Sequence, residues 1–326
     1  MPAKIKILTN VDKFDFLRRR WMKKFQESFD LEVYDHNKTY DKRNCAIWID
    51  QYDSAEWAQS GHDAGFKIIY DYLWDSNIDD VSEQRDNILK LTSKNWIWMH
   101  EQWLHTDGGN QHKIQSPDPK YFMLMLMNLR RAHRHQALDT MHKFLPDSLY
   151  SYVSQGINLP DDMIDDTGRL FNDRFFNPSW YAQTAFSMVV ETSVSDRLFI
   201  SEKSFKPLAH KHPFLVYGTP GTLQHLRSLG FQTFDHIVDE SYDLQPNAKC
   251  VMNKHGDPIY SFDRLNKIVQ ILEALHEQFN KDKYLFSDAE SQRRLDHNYH
   301  LFYNQSHVNN LWHKEIVEVV EEFVHE

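Results

Sequence analysis

Across residues 1–105, short apolar runs alternate with polar or amphipathic stretches, the rhythm of βαβ units. The apolar runs predict strands at Ile5–Leu8, Leu31–Tyr34, Ala46–Ile49, Lys67–Tyr70 and Trp96–Met99. Between the first two, Phe14, Leu17, Trp21, Phe25 and Phe29 recur at helical spacing. They predict a core-facing helix over Phe14–Phe29, capped by Asp12 or Asp15. Residues 106–119 are polar, rich in Gly and Pro, and read as a linker. A second βα pattern follows. Its expected strands are Tyr121–Met127, Leu149–Val153, Phe186–Val190, Phe214–Tyr217 and Gln232–Phe234. Its expected helices are Ala132–Phe144, Glu202–His210 and Thr222–Leu229. Residues 155–178 carry Gly, Pro, Asp and Asn and read as an irregular excursion. The last third is helical, at Ser261–Lys281, Ser287–Tyr303 and Val308–Val324. The expected fold is therefore α/β: two facing Rossmann-like domains with a helical C-terminal tail. Residues 1–105 form the first domain, 120–305 the second, and 306–326 the final helix. In open sheets of this kind ligands bind beyond the carboxyl ends of the strands, so residues just after each strand are the place to look for chemistry.

Composition changes this picture little. A chain of 326 residues favours two domains, and 41% apolar residues suffice for ordinary cores. No apolar run approaches the roughly 18 residues that span a membrane. The start, Met-Pro-Ala-Lys-Ile-Lys-Ile-Leu, reads as a strand and not as a signal peptide. The sequons at Asn37 and Asn304 accordingly carry no weight. Two cysteines, Cys45 and Cys250, exclude a disulfide framework and suit a reducing cytoplasm, the expected location. The net charge of −10 makes a solvated acidic surface the default. Phosphate chemistry must then be local, where Arg and Lys concentrate.

Two places answer that description. Asn128-Leu-Arg-Arg-Ala-His-Arg-His135 follows an apolar strand and opens a helix. Arg130, Arg131 and Arg134 bring three guanidinium groups to a strand end and a helix N-terminus, both suited to an anion. The competing reading is an exposed basic helix start, which the helix dipole disfavours. The second place runs from a strand ending at Glu191 to Ser201-Glu-Lys-Ser-Phe-Lys-Pro207 and on to Gly218-Thr-Pro-Gly221. Ser201 is a good N-cap, Glu202 and Lys203 occupy the first helical turn, and Lys206 shares a face with Lys203. Gly218 opens a tight turn where backbone could approach a ligand. Lys can neutralise a phosphate and Glu can bind ribose hydroxyls; the competing reading of Glu202 and Lys203 is an exposed helix start.

Taken in order, Asn128…Arg130…His133-Arg134, Val190-Glu191-Thr192, Ser201-Glu202-Lys203…Lys206-Pro207 and Pro213-Phe214…Gly218-Thr219-Pro220-Gly221 resemble the donor-binding half of fucosyltransferase-like enzymes. They resemble more closely the glycosyltransferases common in bacteriophage genomes, and Leu226–Phe231 and Asp239–Asp243 continue the likeness. The resemblance covers residues 120–245. It implies the GT-B arrangement of two facing Rossmann-like domains, with a final helix that returns to brace the first. It implies a nucleotide-diphosphate sugar as co-substrate, Glu202 on the donor ribose, and Lys203 with Arg130 or Arg134 on the diphosphate. For a phage-encoded chain the location is the host cytoplasm.

Glycosyl transfer also needs a base for the acceptor hydroxyl. Carboxylates after first-domain strands are Asp12, Asp50, Asp53, Asp71 and Asp75. Asp71 and Asp75 are the preferred pair, because they flank Tyr72 and Trp74, whose rings could stack on a sugar or base. Cap or turn roles compete at each of them. No metal site or other cofactor is expected. His133 and His135 would point apart on a helix, and His100…His105 has one residue too many for a zinc-protease helix. No phosphate loop, Gly-x-Gly-x-x-Gly or Gly-x-Ser-x-Gly motif is present. The function expected is a metal-independent hexosyl- or pentosyltransferase, acting on a surface glycan, a small molecule or a modified DNA base. The alternatives are a non-catalytic nucleotide- or glycan-binding protein on the same scaffold and an aromatic-rich nucleic-acid binder.

Overall fold

The computed structural model describes residues 4–9, 27–35, 37–50, 60–61, 63–72, 87–92, 115–159, 177–194, 198–245, 251–252, 258–259 and 262–326. The chain divides into two compact units. The first comprises Met1–Thr106 with Gln305–Glu326, and the second Asp107–Asn304.

The first unit is built on five parallel strands: β1 (Lys6–Thr9), β2 (Asp30–Val33), β3 (Cys45–Asp50), β4 (Lys67–Tyr72) and β5 (Ile88–Thr92). They lie in the order β2-β1-β3-β4-β5. Ile7, Leu8, Ala46, Ile47, Ile68 and Ile69 are buried, so both faces of the central strands are covered, as a parallel sheet requires. The strand Ile88–Thr92, paired in register with Ile68–Tyr72, is not among those expected; the expected strand Trp96–Met99 lies outside the described residues. The expected helix at Phe14–Phe29 also lies largely outside the described residues.

The same unit takes up the chain's last helices. These are α7 (Gln305–Trp312), a π-helical turn (His313–Val317) and α8 (Glu318–His325), a nearly unbroken run where one helix was expected. Val308, Trp312, Ile316, Val320 and Val324 recur at helical spacing and are buried. Trp312 Nε1 donates to Ser28 Oγ at 3.0 Å. The Lys67 ammonium donates to the Phe323 carbonyl at 2.5 Å and lies over its ring.

The second unit has four parallel strands, β6 (Tyr121–Met127), β7 (Leu149–Tyr152), β8 (Thr184–Val190) and β9 (Phe214–Tyr217), in the order β7-β6-β8-β9. A short antiparallel pair, β10 (Val251–Met252) and β11 (Pro258–Ile259), stands apart. Its helices are α1 (Ala132–Met141), α2 (Pro178–Ala182), α3 (Glu202–Ala209), α4 (Thr222–Ser228), α5 (Asp263–Phe279) and α6 (Ala289–Phe302). Every residue of β8 is buried, and β6 is nearly so, which explains their unbroken apolar sequences. The strand expected at Gln232–Phe234 does not form. Instead, Gln232 N donates to Asn298 Oδ1, and Asn298 Nδ2 donates to the Gln232 carbonyl, both at 2.7 Å. A side-chain amide thus takes the place of a neighbouring strand. The fold is α/β, with two parallel Rossmann-like sheets and C-terminal helices.

Candidate functional site at the switch point of the second sheet

From β6 the chain passes to β7 on one side, and it then crosses to β8 on the other. The carboxyl ends of β6 and β8 are therefore a topological switch point, where connections diverge and leave a crevice. A pocket opens there, lined by Met127 at the end of β6 and Asn128 after it, Val190 of β8, and Glu202, Lys203 and Lys206 of α3. Trp180 and Tyr181 of α2 line it further in. Its free space is about 60 Å³. That admits a few water-sized groups, each needing about 10–15 Å³, so a larger ligand would lie across the mouth.

The start of α3 is held from beneath by Glu191, which follows β8 and is fully buried. Its carboxylate accepts from Thr192 N at 3.0 Å, Ser201 N at 3.0 Å, Ser201 Oγ at 2.6 Å and Ser204 Oγ at 2.6 Å. Ser201, as N-cap, in turn accepts from Lys203 N at 3.3 Å. Four donors saturate the Glu191 carboxylate, so it faces protein and not the pocket. Just above it, Glu202 and Lys203 form an ion pair at 2.5 Å, with only 16% and 18% of their side chains exposed. Burial alone would raise the Glu202 carboxyl; the Lys203 and Lys206 ammonium groups outweigh it and hold it at about 2. Glu202 is thus a fixed carboxylate flanked by two cations.

The β6–α1 loop contributes the arginines, in three different environments. Arg130 is exposed. Arg131 is the half-buried N-cap of α1, its N–H donating to Tyr152 Oη at 3.3 Å. Arg134 is buried. Its Nη1 donates to the Leu129 carbonyl at 2.9 Å, and its Nη2 reaches the Glu191 carbonyl and Thr192 Oγ1, each at 3.4 Å. Lys203 Nζ donates to the same Thr192 Oγ1 at 3.2 Å. The two basic clusters seen in the sequence therefore meet on one hydroxyl. His133 donates from Nε2 to the Glu191 carbonyl at 2.9 Å and packs on Tyr217, whereas His135 packs on Tyr152. Burial, reinforced by the Arg134 charge, lowers His133 to about 4, so the ring is neutral near pH 7.

Gly218 has a packing reason. A Cβ there would sit 3.0 Å from Thr222 Oγ1, 3.2 Å from Glu191 Cγ and 3.3 Å from Val216 Cγ1. The close approach it permits is with protein. Gly218→Ala should lower stability by about 2 kcal/mol, read as a lower urea midpoint with an unchanged slope. Nearby, the Asp243 carboxylate accepts from Leu223 N and Gln224 N and caps α4. Buried Arg264 donates to the carbonyls of Gly218 and Tyr242, at 2.6 and 2.9 Å. Neither Arg264 nor the shared role of Thr192 was visible in the sequence, since each depends on partners far along the chain.

In the first unit, Asp71 lies at the carboxyl end of β4, with its backbone in register between Asp50 and Leu91. Asp12, Asp53 and Asp75 lie outside the described residues. Among the described residues, no group of three or more His, Cys, Asp or Glu side chains could hold a metal ion. No helix among them is long and apolar enough to cross a membrane.

Fold and site together define a two-unit α/β protein with paired charges at a switch point. No protein-family model matches the chain, and no curated protein matches it. Among solved structures, it is similar to the DNA-modifying enzyme beta-glucosyltransferase, crystallised with and without its substrate uridine diphosphoglucose. The match has 10% identity and a TM-score of 0.44, over 98% of this chain and 99% of that one. It is also similar to a chain of the GtfA/B complex, at 12% identity and a TM-score of 0.35, over 87% of this chain. There it spans about half the length of the structure it matches, 54%.

Proposed function

We propose that the protein is a metal-independent glycosyltransferase that moves a sugar from a nucleotide-diphosphate donor to a hydroxyl acceptor. The observation that supports this reading is the meeting of Glu202, Lys203 and Lys206 on one pocket wall at the switch point of the second sheet. In this reading the diphosphate lies across the pocket mouth, where Lys203, Lys206, Arg130 and Arg131 offset the charge that grows on the departing nucleoside diphosphate. Glu202, held ionised, accepts hydrogen bonds from the donor ribose. Arg134, Glu191, Ser201 and Gly218 act through others: they fix the β6–α1 loop and the start of α3. Asp71 or Asp75 takes the acceptor proton. The acceptor is a hydroxyl of a glycan, a small molecule or a modified DNA base.

A thermal-shift series with UDP, GDP, CMP and ADP tests the donor site. One of these should raise the unfolding temperature. Lys203→Ala should weaken that nucleotide about 10- to 30-fold, the loss of one charge-assisted contact of roughly 1.5–2 kcal/mol. Arg130→Ala should weaken it less, because Arg130 is exposed. The matching nucleotide-sugar should then release free nucleoside diphosphate slowly by hydrolysis, and faster with the right acceptor class. If no nucleotide stabilises the wild type, or Lys203→Ala responds as it does, the donor site is wrong. Binding without any release would leave a nucleotide-binding protein and not an enzyme.

A further inference from the structure

The second unit has another cavity, at the opposite end of its sheet. It encloses about 360 Å³, against about 60 Å³ at the switch point. It lies at the amino ends of the strands, beside Thr184 and Ala185 of β8 and Pro213 before β9. Four prolines, Pro117, Pro119, Pro178 and Pro213, line it. Their fixed backbone makes these walls stiff before any ligand arrives. Pockets of this size, with apolar walls and a few polar groups, are typical of small-molecule sites.

The chemistry of the lining narrows the ligand. Rings come from Tyr181, Tyr284 and Phe286, of which Tyr284 is half exposed. Deep in the cavity His212 is buried and already engaged, with Nδ1 2.8 Å from Ser187 Oγ and Nε2 donating to the Thr184 carbonyl at 3.0 Å. Burial lowers His212 to about 4 and lowers His210 strongly, so both rings are neutral near pH 7. At the rim, Lys211 and Asp296 pair at 2.5 Å and cancel. Lys283, also at the rim, lies with its ammonium 3.7 Å from the centre of the Phe279 ring. A phosphate would find Lys211 neutralised by Asp296 and both histidines uncharged, which leaves Lys283 as its attraction. A hydrocarbon would strip water from Gln115, Ser287 and Gln292 without replacing it. A neutral ring bearing hydroxyl groups suits both halves: its C–H faces can stack on the aromatic rings and its hydroxyls can meet the mixed donors and acceptors of the rim.

One backbone feature points to the same rim. Lys211 is the non-glycine residue with positive φ among the described residues, at +52°. It follows α3, where the N–H groups of His210 and His212 both close on the Pro207 carbonyl, at 3.1 and 3.0 Å. Glycine is the usual residue at such a helix end. A lysine there carries a conformational cost and places its ammonium on the cavity rim.

We propose that this cavity at the amino ends of the second sheet is a binding site for a neutral sugar, distinct from the switch-point pocket, with which it shares the Tyr181 wall. Saturation-transfer NMR would test it, using methyl β-glucopyranoside, N-acetylglucosamine and maltose as probes and inorganic phosphate and benzoate as controls. At least one sugar should bind saturably, with a Kd in the millimolar range. Ser287→Trp, an exposed position that fills the mouth, should weaken it about tenfold or more. Tyr284→Ala, also exposed, should weaken it too, so the result does not hang on one variant. Lys211→Gly should weaken the sugar while raising the unfolding temperature; a purely structural lysine would change only the latter. Lys203→Ala should leave sugar binding intact, and Ser287→Trp should leave the nucleotide response intact, so this site and the donor site fail independently. Absence of saturable binding by all three sugars would overturn the proposal. So would binding undiminished in both Ser287→Trp and Tyr284→Ala, or displacement of the sugar by benzoate or phosphate.

Discussion

Lowering the pH from about 7 to about 5 should destabilise the second unit severely, through its buried histidines. His133, His210 and His212 are buried, and all three are lowered by burial, His133 and His212 to about 4. An unfolded histidine titrates near 6.5. Between the two values the unfolded chain binds protons that the folded chain refuses. Stability therefore falls as pH drops below about 6.5 and levels off, for these groups, below about 4. Each of the two rings with a stated value removes on the order of 3 kcal/mol over that window. Together they approach the roughly 5–15 kcal/mol that holds an ordinary domain folded, and His210 acts in the same direction. Urea midpoints measured at several pH values would check this. His133→Gln, which can still donate to the Glu191 carbonyl, should flatten the slope near pH 5 by one proton, about 1.4 kcal/mol per pH unit. A midpoint that does not move between pH 7 and pH 5 would show that these rings accept protons in place.

Glu191→Ala should be among the most damaging single substitutions, at about 4 kcal/mol. It leaves Thr192 N, Ser201 N, Ser201 Oγ and Ser204 Oγ inside the protein without their acceptor. It also removes the negative charge that Arg134 feels from nearby. Glu191→Gln keeps the shape, but its amide nitrogen faces donors. The serine hydroxyls can turn to accept and the backbone N–H groups cannot, so about half the loss should remain. Ser201→Ala should cost less, about 1 kcal/mol, as the loss of one cap. Equilibrium unfolding orders the three variants; an equal, small effect for all would mean that water replaces the carboxylate.

Much of the fold was legible because the central strands are buried on both faces. The expected bounds of Tyr121–Met127 and Phe214–Tyr217 match those observed, because short unbroken apolar runs between turn signals suit a covered parallel strand. One expected strand is absent for a non-local reason. Gln232–Phe234 looks like a strand, but its backbone is bonded by side chains: Gln232 by Asn298, 66 residues away, Thr233 by Arg294 and Phe234 by Glu240. β5 was not legible because Ile-Leu-Lys-Leu-Thr is short and mixes a lysine and a threonine with its apolar residues. The site divides similarly. Ser201, Glu202 and Lys203 could be placed at a helix start because a cap and its first turn are local. The ties of Glu191 to Ser201 and Ser204, 10 and 13 residues on, and of Arg264 to Gly218, 46 residues away, needed the folded chain.

The first unit is interrupted in sequence by the whole of the second. Its early strands and its late helices, with Trp312 bonded to Ser28 and Phe323 to Lys67, belong to one body. On the ribosome, Asp107–Asn304 can close on itself while the first unit still lacks Val308, Trp312, Ile316, Val320 and Val324. Domains usually mature in the order in which they are made. Here the half begun first is finished last, and through that interval its apolar sheet is the part most in need of a chaperone.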